Sequence, residues 1–223
     1  MFAFLKNSTE FMREFAGRLV SGRDSGALAD AASLCYFART RAAYVTQKKL
    51  YEYVKARMGT SYPRNFENDD FIASMNIAKM HVFAAGLADM TMFAVANGTD
   101  RTSLSDDDRA VIARQCYVAG LDENDDGNVV PEHRDEWMAA LDDRMGGAVW
   151  RVTGADEHHF TQSPKALVKW APITDSLKKY DVDIVENSIR FAWQEVRSDF
   201  FKRVDPQAIA ASWLNSGDRK SVV

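Results

Sequence analysis

The segment from Asp70 to Ala96 constrains the fold of this chain more than any other feature. After Asp70 its only ionisable residues are Lys79, His81 and Asp89, and apolar residues otherwise occupy every side of the helix that it predicts. A helix that is apolar all round is typical of the centre of a large bundle or of a membrane span. A membrane position would place three ionisable side chains in hydrocarbon, and no basic cluster flanks the segment. The segment therefore predicts a buried central helix and no integral membrane span.

The other segments also predict helices rather than strands. Capping residues, Pro-free stretches and apolar spacings of three and four predict helices near 8–20, 27–58, 105–121, 131–145, 164–171, 173–182, 183–204 and 206–215. The stripe in 183–204 is the strongest, with apolar residues at Val185, Ile189, Ala192, Val196, Phe200 and Val204. The predicted fold class is all-α: a multi-helix bundle with a long central buried helix. We expect a single domain over residues 1–215, with an alternative sub-boundary near 98–105, and a flexible tail at 216–223.

The composition is that of an ordinary globular protein and argues against a nucleic-acid partner. The chain has a net charge of −4, whereas domains that bind nucleic acid usually carry a basic excess. Its two cysteines, Cys35 and Cys116, have neither a metal-ligand spacing nor a disulfide framework. We interpret both as free buried thiols in a reducing cytoplasm. The apolar run at the N-terminus is too short for a signal-peptide core, so cytoplasmic localisation is expected.

A ladder of basic and aromatic residues in the second predicted helix is the best candidate for a partner-binding surface. The ladder comprises Arg41, Tyr44, Lys48, Tyr51 and Lys55. Spacings of three and four place all five on one side of a helix. Phenol rings between cations suit an acidic protein or another acidic macromolecule, through charge-assisted hydrogen bonds and stacking. The alternative is structural, because the tyrosines of such a face often cover a core while the lysines remain in water.

A run of acidic and amide residues predicts a cation loop. In a twelve-residue run, the first, third and fifth positions carry side-chain oxygens, from Asp122, Asn124 and Asp126. Gly127 stands at the sixth position, and Asn128 offers its backbone carbonyl at the seventh. Residues 117–141 thereby resemble a single EF-hand, a family that binds calcium. At the twelfth position the family has a bidentate Glu, whereas this chain has His133, with Glu132 one residue early. The resemblance therefore implies no calcium or weakly bound calcium, and we expect no other cofactor.

The histidines are the remaining candidates for chemistry. His81 lies within the predicted buried helix, where a hydrogen-bonded core histidine is commoner than a catalytic one. His158 and His159 follow two acidic residues but have no second contributor elsewhere in the sequence. No nucleophile elbow and no glycine-rich phosphate loop occurs. These absences weaken an enzyme interpretation without removing it.

Three functions are compatible with the sequence. We favour a cytoplasmic α-helical protein that binds another macromolecule through the ladder, as an assembly or regulatory factor. The first alternative is a calcium-responsive module built on the loop from Asp122 to His133. The second alternative is a small-molecule enzyme whose site lies inside the bundle, with His81 or the pair His158 and His159 as acid or base.

Overall fold

The structure is a computed structural model, and it describes residues 25–125, 130–150 and 159–216. Over these ranges the chain forms helices in the order α1 (Ala31–Met58), α2 (Tyr62–Asn65), α3 (Asp69–Gly98), α4 (Asp106–Asn124), α5 (Pro131–Gly146), α6 (Gln162–Trp170), α7 (Asp175–Lys178), α8 (Val182–Arg203) and α9 (Pro206–Asn215). A short 3-10 turn, Gly59–Ser61, separates α1 from α2. The described ranges contain no β-strand, and one isolated parallel bridge joins Leu28 to Val204.

Helix α3 is the centre of the bundle, as the sequence predicts. It begins where the Asn68 side chain accepts a hydrogen bond from the backbone N–H of Phe71 at 3.0 Å, the usual role of an N-cap. Helices α1, α4 and α6 pack around it. Its length and composition would also allow it to cross a membrane, but 72% of its most apolar stretch is buried inside the protein. The all-α bundle with a long central buried helix is therefore confirmed.

Helices α1 and α3 approach most closely at Gly86. A Cβ atom built on Gly86 would lie 2.3 Å from Cγ2 of Thr46 on α1. Thr46 is itself fixed, because its hydroxyl donates to the carbonyl of Ala42 at 2.7 Å and a β-branched side chain has few rotamers. Only glycine fits at this crossing.

The interpretation of the two cysteines as free thiols is wrong. Cys35 on α1 and Cys116 on α4 form a disulfide, with their Cα atoms 4.5 Å apart. Their separation of 81 residues hides the pairing in the sequence, because it depends on how α1 packs against α4. Disulfides are rare in reducing cytosol, so this bond weighs against cytoplasmic localisation, which stays a prediction.

The long predicted helices agree closely with the structure, whereas the segment near 173–182 holds only the four-residue helix Asp175–Lys178, and the helix Tyr62–Asn65 was not predicted. The predicted segment Asp70–Ala96 corresponds to Asp69–Gly98, and the segment 27–58 begins four residues later, at Ala31, where Asp30 forms a capping box with Ser33. The apolar stripe of α8 is largely buried, and Trp193 beside it is fully buried. The predicted helix near 8–20 and most of the predicted tail lie outside the described residues.

Candidate functional site

A cleft lies between α5 and α6. Its volume is about 550 Å³, and it is partly open to solvent. Small side chains of α3, Ala84, Ala85 and Ala88, form its floor, while α5 and α6 supply opposite walls. Clefts of roughly 300–1,000 Å³ with aromatic walls and a few polar groups are typical of small-molecule sites.

His81 lies at one end of the cleft among aromatic rings. It stacks on Trp170 of α6, with the ring centroids 3.5 Å apart and the planes within 2° of parallel. Trp137 of α5 donates its indole N–H to Nδ1 of His81 at 3.1 Å. His133 of α5 approaches edge-on, with the ring centroids 4.6 Å apart. One imidazole therefore links three helices.

These contacts fix the protonation state of His81. An indole N–H can only donate, so Nδ1 of the imidazole accepts and the proton of the neutral ring resides on Nε2. Burial, followed by the nearby charges of His133 and Lys169, lowers the pKa of His81 to about 4. Protonation of Nδ1 would also set two donors against each other. His81 is thus neutral at physiological pH, and its buried Nε2 has no hydrogen-bond partner among the residues that the structure describes.

The α6 wall is held in place by a carboxylate of the central helix. Asp89 is fully buried and accepts hydrogen bonds from the backbone N–H groups of Gln162 and Ser163 at 3.1 and 2.7 Å. It also accepts from the Ser163 hydroxyl at 2.6 Å and pairs with Arg144 of α5 at 2.7 Å. Burial raises the pKa of Asp89, while Arg144 and the hydrogen bonds with Ser163 oppose that rise. Asp89 therefore caps α6 from another helix and ties both walls to α3.

Charges on the two walls differ in sign. The α5 wall carries Glu136 and Asp143, and the α6 wall carries Lys165 and Lys169. Within the described residues their ion pairs do not cross the cleft. Glu136 pairs with His133 of the same helix at 3.6 Å, and the Lys169 ammonium lies 5.0 Å from the ring centroid of Trp170. The cleft thus presents an acidic wall to a basic one.

The basic and aromatic ladder lies on α1, but the bundle covers part of it. Arg41 is only 5% exposed and Tyr51 only 7%. The guanidinium of Arg41 pairs with Asp199 of α8 at 3.0 Å, so it serves the packing of α1 against α8. Lys48 and Tyr44 are half-buried and Lys55 is exposed. A partner would therefore meet a smaller surface than the sequence predicts.

The EF-hand-like run begins inside a helix. Helix α4 continues through Asn124, and side chains two residues apart on a helix point about 200° apart. Asp122 pairs with Arg134 of α5, and the Asn124 amide donates to the carbonyl of Gly120 at 2.7 Å. The other predicted ligands, Asp126 and Asn128, lie outside the described residues, and Glu132 stands in the first turn of α5. Weak or absent calcium binding stays a prediction.

The second histidine candidate is not assembled into a site by the described residues. His158 lies outside them, and the imidazole of His159 packs edge-on against Phe93 with the ring centroids 6.2 Å apart. Within the described ranges no group of three or more His, Cys, Asp or Glu side chains is arranged to hold a metal ion. Of the two predicted catalytic candidates that the structure describes, His81 lines the cleft and His159 does not.

Sequence reasoning identified His81 but missed its surroundings. Trp137 falls within the EF-hand-like stretch 117–141 but was given no role, and Trp170 and the charged walls were not singled out. A weak signal was present: Ala84, Ala85 and Ala88 leave space along one side of α3, and Trp170 lies one helical turn from Ala166, which also lines the cleft.

These features describe an all-α bundle with a cleft suited to a small molecule. Comparisons of this chain with protein-family models, with curated proteins and with solved structures find no significant match. The functional argument therefore rests on the geometry of the cleft.

Proposed function

We propose that this protein binds a small organic molecule in the cleft between α5 and α6. The observation that carries the proposal is the cleft itself, with a volume of about 550 Å³ and aromatic walls built around a neutral, buried His81. The proposal favours the interior of the bundle, as the small-molecule alternative did, but assigns no catalytic step. No nucleophile lies beside His81 among its described contacts.

The aromatic walls of the cleft supply the apolar surface that a ligand requires. Trp137 and Trp170 provide large apolar surfaces that are only partly covered by the protein, and aromatic stacking contributes about 0.5–1.5 kcal/mol beyond apolar burial. The Nε2–H donor of His81 has no partner among the described residues, but the protein covers it, so the ligand contacts come from the two indoles. A planar ligand suits these surfaces.

Binding of an acidic macromolecule through the ladder is less well supported. Two of the five residues, Arg41 and Tyr51, are buried, which leaves Lys55 and the half-buried Lys48 as its accessible cations. That function stays a prediction. Its test is whether Lys48→Glu with Lys55→Glu weakens a partner complex while the melting temperature stays nearly unchanged.

The cleft is tested by filling it. Ala140 and Ala139 are adjacent exposed alanines on α5, but only Ala140 lines the cleft. Anilinonaphthalene sulfonate, an aromatic anion that fluoresces in apolar sites, serves as the first probe, and a library of planar metabolites follows by thermal shift. We expect saturable binding that Ala140→Trp abolishes and Ala139→Trp preserves. Equal binding by both variants, or no ligand in either screen, would refute the proposal.

A further inference from the structure

The charges around the cleft are balanced but not paired with each other. Glu136 and Asp143 supply two negative charges on α5, and Lys165 and Lys169 supply two positive charges on α6. A third cation, Arg144, is already neutralised by Asp89 at 2.7 Å. The local net charge at the mouth of the cleft is therefore zero, with the two signs on opposite walls.

The charged rows have the dimensions of a small ligand. Glu136 and Asp143 are seven residues apart on α5, which corresponds to about 10 Å along the helix axis. Lys165 and Lys169 are four residues apart on α6, or about 6 Å. Glu136 directly precedes Trp137 and Lys169 directly precedes Trp170, so one charge of each sign adjoins the aromatic end of the cleft. A ligand at that end has an anion on the α5 wall and a cation on the α6 wall.

We infer that the ligand is zwitterionic: a planar aromatic body that carries an amine toward Glu136 and Asp143 and a carboxylate toward Lys165 and Lys169. This inference rests on the proposed function of the cleft. A simple anion would pair with the lysines but would be repelled by the opposite wall, and a simple cation would have the reverse problem. A neutral ligand would displace water from both walls without replacing those interactions. Only a bipolar ligand pairs with both walls.

The charges determine selectivity more than affinity. Ion pairs near a surface are weak, each worth at most about a fivefold change in affinity, so two together amount to about 30-fold or less. The apolar contact with Trp137 and Trp170 accounts for the remainder. Matched probes that share one aromatic body therefore separate the two contributions.

Four indole probes provide that match: indole is neutral, tryptamine is a cation, indole-3-acetate is an anion and tryptophan is a zwitterion. Isothermal titration at low ionic strength measures each with the full chain. We expect tryptophan to bind tightest and indole weakest, with a difference of about five- to 30-fold. The difference should shrink in 0.5 M salt, because the screening length falls to a few ångströms.

Two double variants assign each charge to its wall. Lys165→Gln with Lys169→Gln should weaken indole-3-acetate and tryptophan but spare tryptamine. Glu136→Gln with Asp143→Asn should weaken tryptamine and tryptophan but spare indole-3-acetate. The control, Lys48→Gln with Lys55→Gln on α1, makes the same change in net charge as the lysine pair of the cleft, but away from it. This control should leave the order of the four probe affinities unchanged. Circular dichroism confirms that each variant is folded.

The outcomes separate this inference from the proposed function. If all four probes bind equally and Ala140→Trp abolishes their binding, the cleft is a ligand site and the inference of a zwitterionic ligand is refuted. If none of the four probes binds but another compound does, and Ala140→Trp abolishes the binding of that compound, the inference of a zwitterionic ligand is again refuted. The proposed function of the cleft is then supported. If no compound responds to Ala140→Trp, both fail.

Discussion

His81 should make the stability of this protein fall as the pH drops from about 6.5 to about 4. An unfolded chain titrates histidine near 6.5, whereas burial lowers the pKa of His81 to about 4. Between these values the unfolded state binds more protons than the folded state, so the free energy of unfolding increases with pH. The contribution of His81 to the free energy of unfolding is fully present above about pH 6.5 and decreases as the pH falls toward 4. Below about pH 4 it has been lost.

The pKa difference of about 2.5 units corresponds to a change of about 3 kcal/mol in the free energy of unfolding across that window. Asn at position 81 cannot titrate, and its amide oxygen can still accept the indole N–H of Trp137. Urea unfolding from pH 4 to pH 8 should therefore give a flatter profile for His81→Asn than for the wild type. Subtraction of the two profiles removes the titration of groups common to both.

A second variant tests the electrostatic cause. The charge of His133 is one reason for the low pKa of His81, so His133→Asn should raise the pKa of His81 and narrow the window. Lys169 also lowers that pKa, and Glu136 contacts His133 at 3.6 Å, so both stay unchanged in this comparison. Imidazole NMR signals give the pKa directly. A value near 6.5 for His81, or the same pH profile in His81→Asn, would refute the reasoning.

Three further variants probe the packing that supports the cleft. Gly86→Ala should destabilise the protein by about 1–3 kcal/mol in chemical unfolding, because the added Cβ would lie 2.3 Å from Cγ2 of Thr46. Combining it with Thr46→Ser, which removes that methyl group, should restore much of the lost stability. Asp89→Asn should lower the free energy of unfolding by about 3–5 kcal/mol, because it leaves the part-buried guanidinium of Arg144 without its carboxylate. Cys35→Ala with Cys116→Ala should cost about 4.5 kcal/mol, the chain-entropy value for a loop closed across 81 residues, and reductant should lower the stability of the wild type alone.

Each of these variants has a matched control. Gly146→Ala makes the same change where no atom lies within 4 Å of the added methyl group, so it should be neutral or stabilising. Asp142→Asn removes a carboxylate whose partner, Arg114, is about half exposed, and should cost less than 1 kcal/mol. Equal losses in Gly86→Ala and Gly146→Ala, or in Asp89→Asn and Asp142→Asn, would contradict the roles assigned to close packing and burial.

The sequence was sufficient for the helices because their signals are local. Asn68 caps α3, Ser105 forms a capping box with Asp108 at the start of α4, and Pro131 opens α5. Each signal lies within a few residues of the boundary that it marks. The central position of α3 also followed from the sequence, because a helix with apolar residues all round requires neighbours on every side.

The cleft could not be predicted because its members come from different helices. Periodicity shows which residues share a face, but not which helix lies opposite. Arg41 illustrates this, since its place in the ladder suggested exposure while Asp199 of α8 holds it in the interior. Trp170 illustrates the converse, since nothing near it in sequence indicates that it stacks on His81.

Helix α6, the shorter wall of the cleft, depends for its position on the fully buried carboxylate of Asp89. Helix α6 has only nine residues, and an isolated helix of that length is marginal in water. Asp89 compensates by accepting its first backbone N–H groups, and Trp193 donates to the Ser163 hydroxyl at 3.0 Å. A buried ion pair adds little net stability compared with apolar packing, and its best-attested use is to specify one arrangement. We therefore interpret Asp89 as a positioning residue that sets the α6 wall, with Lys165 on it, opposite α5 before any ligand arrives.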